Sequence, residues 1–86
     1  DGLPDLNDMR LSLHDARSQA RYAIQMFIEA YEPRLSNVCV TVMPNRADPL
    51  RLSFSIDALL KIEGFKRQVS FSACLDGSGQ IKVSQG

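Results

Sequence analysis

Few side chains in this sequence are of the types that perform acid–base or nucleophilic chemistry. His14 is the only histidine, so a catalytic triad would have to use it. The helix predicted below places His14 in its first turn, and no Gly-x-Ser-x-Gly turn presents a nucleophile. We therefore interpret His14 as a surface or interface residue.

Two carboxylates, Glu29 and Glu32, lie near the end of the predicted helix. Glycoside hydrolysis needs two carboxyl groups about 5–10 Å apart, one of them kept protonated by an apolar pocket. Glu29 falls on the polar face of the helix, and Arg34 favours the charged form of Glu32. Because this arrangement is unsuited to a general acid, we predict that the protein is not an enzyme.

The candidate metal ligands are few and widely separated. Cys39, Cys74 and His14 cannot fill a four-ligand zinc site within the chain. We predict no metal and no other cofactor, and we interpret both cysteines as reduced packing residues. A single disulfide in an oxidising compartment is the alternative.

The segment Glu32-Pro33-Arg34-Leu35 carries the most informative polar residues. If the chain is extended after the helix, Glu32 and Arg34 project to the same side, separated by a rigid proline. The planar guanidinium of Arg34 suits a partner's carboxylates or carbonyls. From the residues alone, the segment is a helix stop with a surface ion pair.

Apolar residues recur at helical spacing from Leu13 to Tyr31 and predict one long helix over residues 12–32. Ser12 and Asp15 approximate a capping box at its start. Residues 1–11 are rich in turn formers and indicate an N-terminal loop. Pro33 ends the helix, because the residue before a proline avoids the helical conformation.

From residue 37 the apolar pattern changes to a period of two, which predicts three half-buried strands. Asp76-Gly77-Ser78-Gly79 predicts a hairpin turn before a short fourth strand at Ile81 and Val83. We expect an α+β fold, with one long N-terminal helix packed on a three- to four-stranded antiparallel meander over residues 37–86. Its open edge is expected at Val38–Val42 or at Ile81–Ser84.

Length and charge limit the classes of function. Eighty-six residues make a single domain, 1–86, and a start at Asp1 suggests a fragment lacking upstream residues. Ten basic and ten acidic residues cancel, which argues against a nucleic-acid binder. No apolar run is long enough for membrane insertion.

Two segments together resemble one protein family. Gly2-Leu3-Pro4-Asp5-Leu6, a helix, Glu32-Pro33-Arg34-Leu35 and the strand opening at Val38-Cys39-Val40 are similar to the phage baseplate-wedge family. That family is often labelled lysozyme-like, and the similarity is to its type VI secretion branch, the TssE proteins. The pieces occur in the family's order and cover nearly the whole chain.

The resemblance implies a cytoplasmic structural subunit of a contractile injection machine. Such a subunit links wedge proteins of the TssF and TssG type to the contractile sheath by protein–protein contacts, without a small-molecule substrate. The family's Glu-Pro-Arg signature falls on Glu32, Pro33 and Arg34, which implies that they bind partners. The alternatives are a small peptidoglycan hydrolase and a generic adaptor domain.

Overall fold

One helix and four strands make up the computed structural model, which describes residues 6–48, 51–76 and 79–85. The order is α1 (Leu6–Tyr31), β1 (Leu35–Met43), β2 (Leu52–Ile62), β3 (Phe65–Leu75) and β4 (Ile81–Gln85). The strands form an antiparallel sheet in the order β1-β2-β3-β4. The prediction of an α+β fold with a helix and an antiparallel meander is confirmed, and both expected edges, β1 and β4, lie at the margins of the sheet.

Helix α1 is longer at its start than predicted. It begins at Leu6, so residues 6–11 are helical, and the expected loop over 1–11 is wrong for this part. Residues 6–11 contain neither glycine nor proline, and nothing in their backbone opposes helix formation. Asp15 therefore lies inside the helix, where it accepts a hydrogen bond from Gln19 at 2.9 Å, and the predicted capping box is wrong.

Two short turns hold the sheet in sequence order. Glu63 and Gly64 connect β2 to β3 as the only residues between the paired Ile62 and Phe65, and Gly64 has φ +84°. After β3, the backbone N–H of Asp76 donates to the carbonyl of Gln80 at 3.0 Å. The Asp76 carboxylate accepts from the N–H of Gln80 at 3.0 Å. Residues 77–78 of this predicted hairpin lie outside the described residues.

The core lies between α1 and one face of the sheet. It is small and is centred on β2, whose Phe54 is 1% exposed. Its buried members are Val38, Val40, Phe54, Ile56, Ala58 and Ala73. The opposite sheet face is polar, and there Ser70 donates to the Asp57 carboxylate at 2.6 Å. Alternation along each strand therefore separates an apolar face from a polar one, as expected for a half-buried antiparallel sheet.

Candidate protein-docking site

The Glu32-Pro33-Arg34-Leu35 segment is a tight turn that joins α1 to β1. The Glu32 N–H donates to the carbonyl of Ile28 at 2.9 Å, which closes the last helical turn. The Leu35 N–H donates to the carbonyl of Glu32 at 3.0 Å, which closes a β-turn. The expected extended conformation of this segment is therefore wrong. Proline suits the second position of such a turn because its ring fixes φ near −65°.

The backbone of Arg34 anchors the turn to the sheet. The Lys61 N–H donates to the carbonyl of Arg34 at 2.8 Å, so the turn is tied to the end of β2. The Arg34 side chain takes no part in this contact and is exposed. The backbone carbonyl of Arg34 thus contributes to the fold, while its guanidinium is available to bind another molecule.

A bulge in β1 follows the turn directly. Between the pairs Ser36–Leu59 and Cys39–Asp57, two residues of β1 oppose one residue of β2. Asn37 takes φ +52° there, a left-handed conformation that asparagine tolerates better than most residues. The bulge interrupts the alternation of the strand, so Leu35 and Val38, three positions apart, lie on the same face of the sheet. The turn is thereby aligned with the apolar face and not with the polar one.

The side chains of Glu32 and Arg34 are both exposed. No hydrogen bond or ion pair joins them within the described part of the chain, so the surface ion pair suggested by the residues alone is not formed. The two charged groups stand at one end of a groove between α1 and the sheet, which both of them line.

The groove has a volume of about 770 Å³ and is apolar apart from these two charges. Its walls come from the helix, from the turn and from the apolar face of β2, β3 and β4. The lining residues are Ala23, Ile24, Phe27, Ile28, Glu32, Arg34, Leu35, Ile56, Leu60, Val69, Phe71, Ala73, Ile81 and Val83. At the rim, Phe27 is 62% exposed and Val83 is 60% exposed. Apolar groups this exposed, gathered on one concave surface, are typical of a protein-binding site.

The apolar face of α1 is wider than its contact with the sheet. One row, Ala20, Ile24 and Ile28, packs against the core. A second row, Ala23 and Phe27, lines the groove instead, and the ring of Phe27 lies 4.6 Å from that of Tyr31. The helical spacing predicted one continuous apolar face but did not show that half of it stays uncovered. The groove was therefore missed, although the width of that face was a signal of it.

The candidate catalytic residues are not brought together. His14 is exposed in the middle of α1, and not in the first turn as expected. Glu29 is exposed and accepts a hydrogen bond from Gln25 at 3.2 Å. Glu32 lies at the groove end but is also exposed, so it lacks the enclosed apolar surroundings of a general acid.

Both cysteines are free thiols. Cys39 is exposed on the polar sheet face, so its interpretation as a packing residue is wrong, whereas Cys74 is half-buried. Among the described residues, no three His, Cys, Asp or Glu side chains are grouped closely enough to hold a metal ion. Over those same residues, α1 has no stretch long and apolar enough to cross a membrane.

Comparison with known proteins gives one match. A family model described as baseplate wedge protein gp25 matches residues 2–64. The matched part contains α1, the Glu32–Leu35 turn, β1, β2 and the turn that leads to β3. No curated protein and no solved structure matches the chain.

Proposed function

Because the chain belongs to the baseplate wedge protein gp25 family, with its phage-baseplate type of structural role, we propose that it is a non-enzymatic assembly subunit of a type VI secretion baseplate. In this proposal it is cytoplasmic and links wedge proteins of the TssF and TssG type to the contractile sheath. Glu32, Pro33 and Arg34 form the docking site. The observation that carries the proposal is the position of the two exposed charges at the end of an apolar groove.

The arrangement suits docking for a physical reason. The turn is fixed by backbone hydrogen bonds at 3.0 and 2.8 Å and by the proline ring, so the side chains of Glu32 and Arg34 start from a rigid base. Rigid presentation lowers the entropy that is lost on binding. An arginine beside an apolar surface is a frequent centre of binding energy in interfaces.

A sheet edge is proposed as the second contact, toward the sheath. Among residues 6–48, 51–76 and 79–85, β1 and β4 each pair on one side only. An unpaired strand edge accepts a further strand through backbone hydrogen bonds. All five residues of β4 are exposed. The edge contact and the turn contact use different atoms, which allows two partners to bind together.

The test compares two arginine variants that lose the same charge. Arg34→Ala removes a side chain from the proposed site, and Arg46→Ala removes an exposed one from the loop after β1, at the other end of that strand. We expect Arg34→Ala to weaken co-purification with co-expressed wedge proteins by roughly tenfold or more, as for an interface hot spot. Arg46→Ala should leave co-purification within about twofold of the unchanged protein, as expected for an energetically neutral surface position.

Stability measurements show whether the turn acts in docking or in folding. Because the Arg34 side chain is exposed, Arg34→Ala should change the free energy of unfolding by no more than about 0.5 kcal/mol. A loss of several kcal/mol would make the motif structural.

The hydrolase alternative is checked by turbidity of purified cell wall, where lysis that Glu32→Gln abolishes would contradict the proposal. Failure to co-purify with any wedge or sheath protein would contradict the baseplate role and favour the generic adaptor domain.

A further inference from the structure

The sheet is about twice as wide as the helix that covers it. Four strands spaced 4.7–4.9 Å apart span roughly 19 Å from outer edge to outer edge, whereas a helix with its side chains is about 10–12 Å across. Within the part of the chain described, α1 packs mainly against the β1 side. The apolar face of β4 is left open, with Ile81 54% exposed and Val83 60% exposed. Val69 and Phe71 of β3 are only partly buried.

From this geometry we infer that the groove receives an amphipathic α-helix of a partner protein, laid beside α1 on β3 and β4. This inference rests on the proposed docking function and names the structural class of the partner. A second helix would fill the remaining width of the sheet face. It would also cover the second apolar row of α1, formed by Ala23 and Phe27.

The hydrogen-bonding needs of its own backbone determine whether the bound segment is a helix or a strand. Groups buried in an apolar groove need hydrogen-bond partners, and an unpaired buried peptide group costs free energy. A helix satisfies its own peptide groups, whereas a strand lying on the sheet face would leave its peptide groups unpaired. Strands are therefore suited to the edges of this sheet, and a helix is suited to its open face.

The groove also sets the length and the charge pattern of the occupant. In the strand register, Leu60 lies at the level of the Arg34 end, and Leu52 lies at the level of Ile81. Eight residues of strand at about 3.3 Å each span roughly 26 Å, which a helix covers in about 17 residues. Glu32 and Arg34 stand together at one end. The helix therefore carries a carboxylate there that pairs with the Arg34 guanidinium, and a basic or hydrogen-bond-donating group that faces Glu32.

A small-molecule occupant fits the groove less well. Ligand pockets enclose most of the ligand surface. Here the rim residues Phe27, Ile81 and Val83 stay more than half exposed, which describes a shallow and elongated surface. Such a surface matches the side of a helix.

The experiment uses display selection with two peptide libraries of equal composition and 18 residues each. One library places apolar residues at helical spacing, and the other alternates them as in a strand. We expect enrichment from the helical library, with an acidic residue common near one end. Enrichment from the strand library alone, or no enrichment from the helical library, would overturn the inference.

Matched variants then locate the bound peptide. Val83→Asp places a charge in the groove, and Ser84→Asp places the same charge on the opposite face of β4. Binding of selected peptides should fall at least tenfold for Val83→Asp and stay within twofold for Ser84→Asp. Binding that survives Val83→Asp would contradict the inference.

A second pair of variants protects the test against a folding defect. Phe27→Glu changes an exposed residue that lines the groove, whereas Met26→Glu changes a neighbour that is 45% exposed and lies outside it. Only Phe27→Glu should weaken peptide binding. If Arg34-dependent co-purification persists while helical peptides fail to bind, the helix inference falls and the proposed function stands. If helical peptides bind the groove while Arg34→Ala leaves co-purification unchanged, the proposed docking role of Arg34 falls and the helix inference stands.

Discussion

Asn37 has a backbone conformation that few residues adopt comfortably. Its φ of +52° lies in the left-handed region, and it supplies the extra residue of the bulge in β1. In a regular strand Leu35 and Val38, which are three positions apart, would face opposite sides of the sheet, because side chains alternate along a strand. This single position therefore aligns the Glu32–Leu35 turn with the apolar face.

Substitution of Asn37 should show how much stability depends on a residue that tolerates positive φ. Asn37→Val places a β-branched side chain at positive φ, and we expect the free energy of unfolding to fall by about 1–3 kcal/mol. The matched control, Asn37→Gly, adopts the same conformation without strain and should stay within about 0.5 kcal/mol of the unchanged protein. Urea denaturation measures both. Equal losses for the two variants would show that the asparagine side chain, and not its backbone conformation, is what matters.

At the scale of elements, the strands differ in how firmly they are held. β2 pairs with β1 on one side and with β3 on the other, and it carries the buried Phe54, Ile56 and Ala58. Within the described residues, β4 pairs with β3 alone, and all its residues are exposed. A strand with few buried contacts opens locally, without unfolding of the whole domain.

Amide hydrogen exchange should separate the two strands. The inner amides of β2 should exchange only through global unfolding, whereas hydrogen-bonded amides of β4 should exchange at least about tenfold faster through local opening. A low-denaturant series distinguishes the two routes, since only global opening accelerates steeply with denaturant. Equal protection in β2 and β4 would mean that the edge is as rigid as the centre.

Helix α1 is longer than the sheet face on which it packs. Its 26 residues span roughly 39 Å at 1.5 Å per residue, whereas the nine residues of β1 span about 30 Å. Among its residues with described side chains, 14–31, those that pack on the core are Ala20, Ile24 and Ile28.

The whole molecule is elongated. Its extents are 60 × 24 × 20 Å, and its Cα radius of gyration is 15.5 Å. A compact chain of this length has a radius of gyration of about 12 Å. A small domain with an open apolar groove buries little surface of its own, so its stability depends in part on what binds to it.

Small-angle X-ray scattering tests this shape directly. We expect a radius of gyration of at least the 15.5 Å found for the Cα atoms, since bound water adds to the measured value. A dilution series serves as the control, because self-association through the groove would raise the value with concentration. A measured value close to that of a compact chain, about 12 Å, would mean that the protein is less elongated in solution than in this structure.

Local patterns in the sequence determined much of this protein. The stop before Pro33, the Glu63-Gly64 turn, the alternation of the strands and the antiparallel order all follow from rules that act over a few residues. The start of the helix was predicted six residues too late because cap-like residues, Ser12 and Asp15, also occur inside helices. The residue types of the Glu32–Arg34 motif predict a helix stop flanked by two charged side chains.

Only the tertiary structure decided how the motif is presented. The segment is a hydrogen-bonded turn and not an extended strand, because Leu35 bonds back to Glu32 and Lys61 bonds to Arg34. The groove depends on where α1 lies across the sheet, which brings Phe27 near Val83 from distant parts of the chain. A periodic pattern in the sequence predicts that a helix face or sheet face is apolar. How much of that face is covered depends on how α1 packs on the sheet, because the helix is narrower than the sheet.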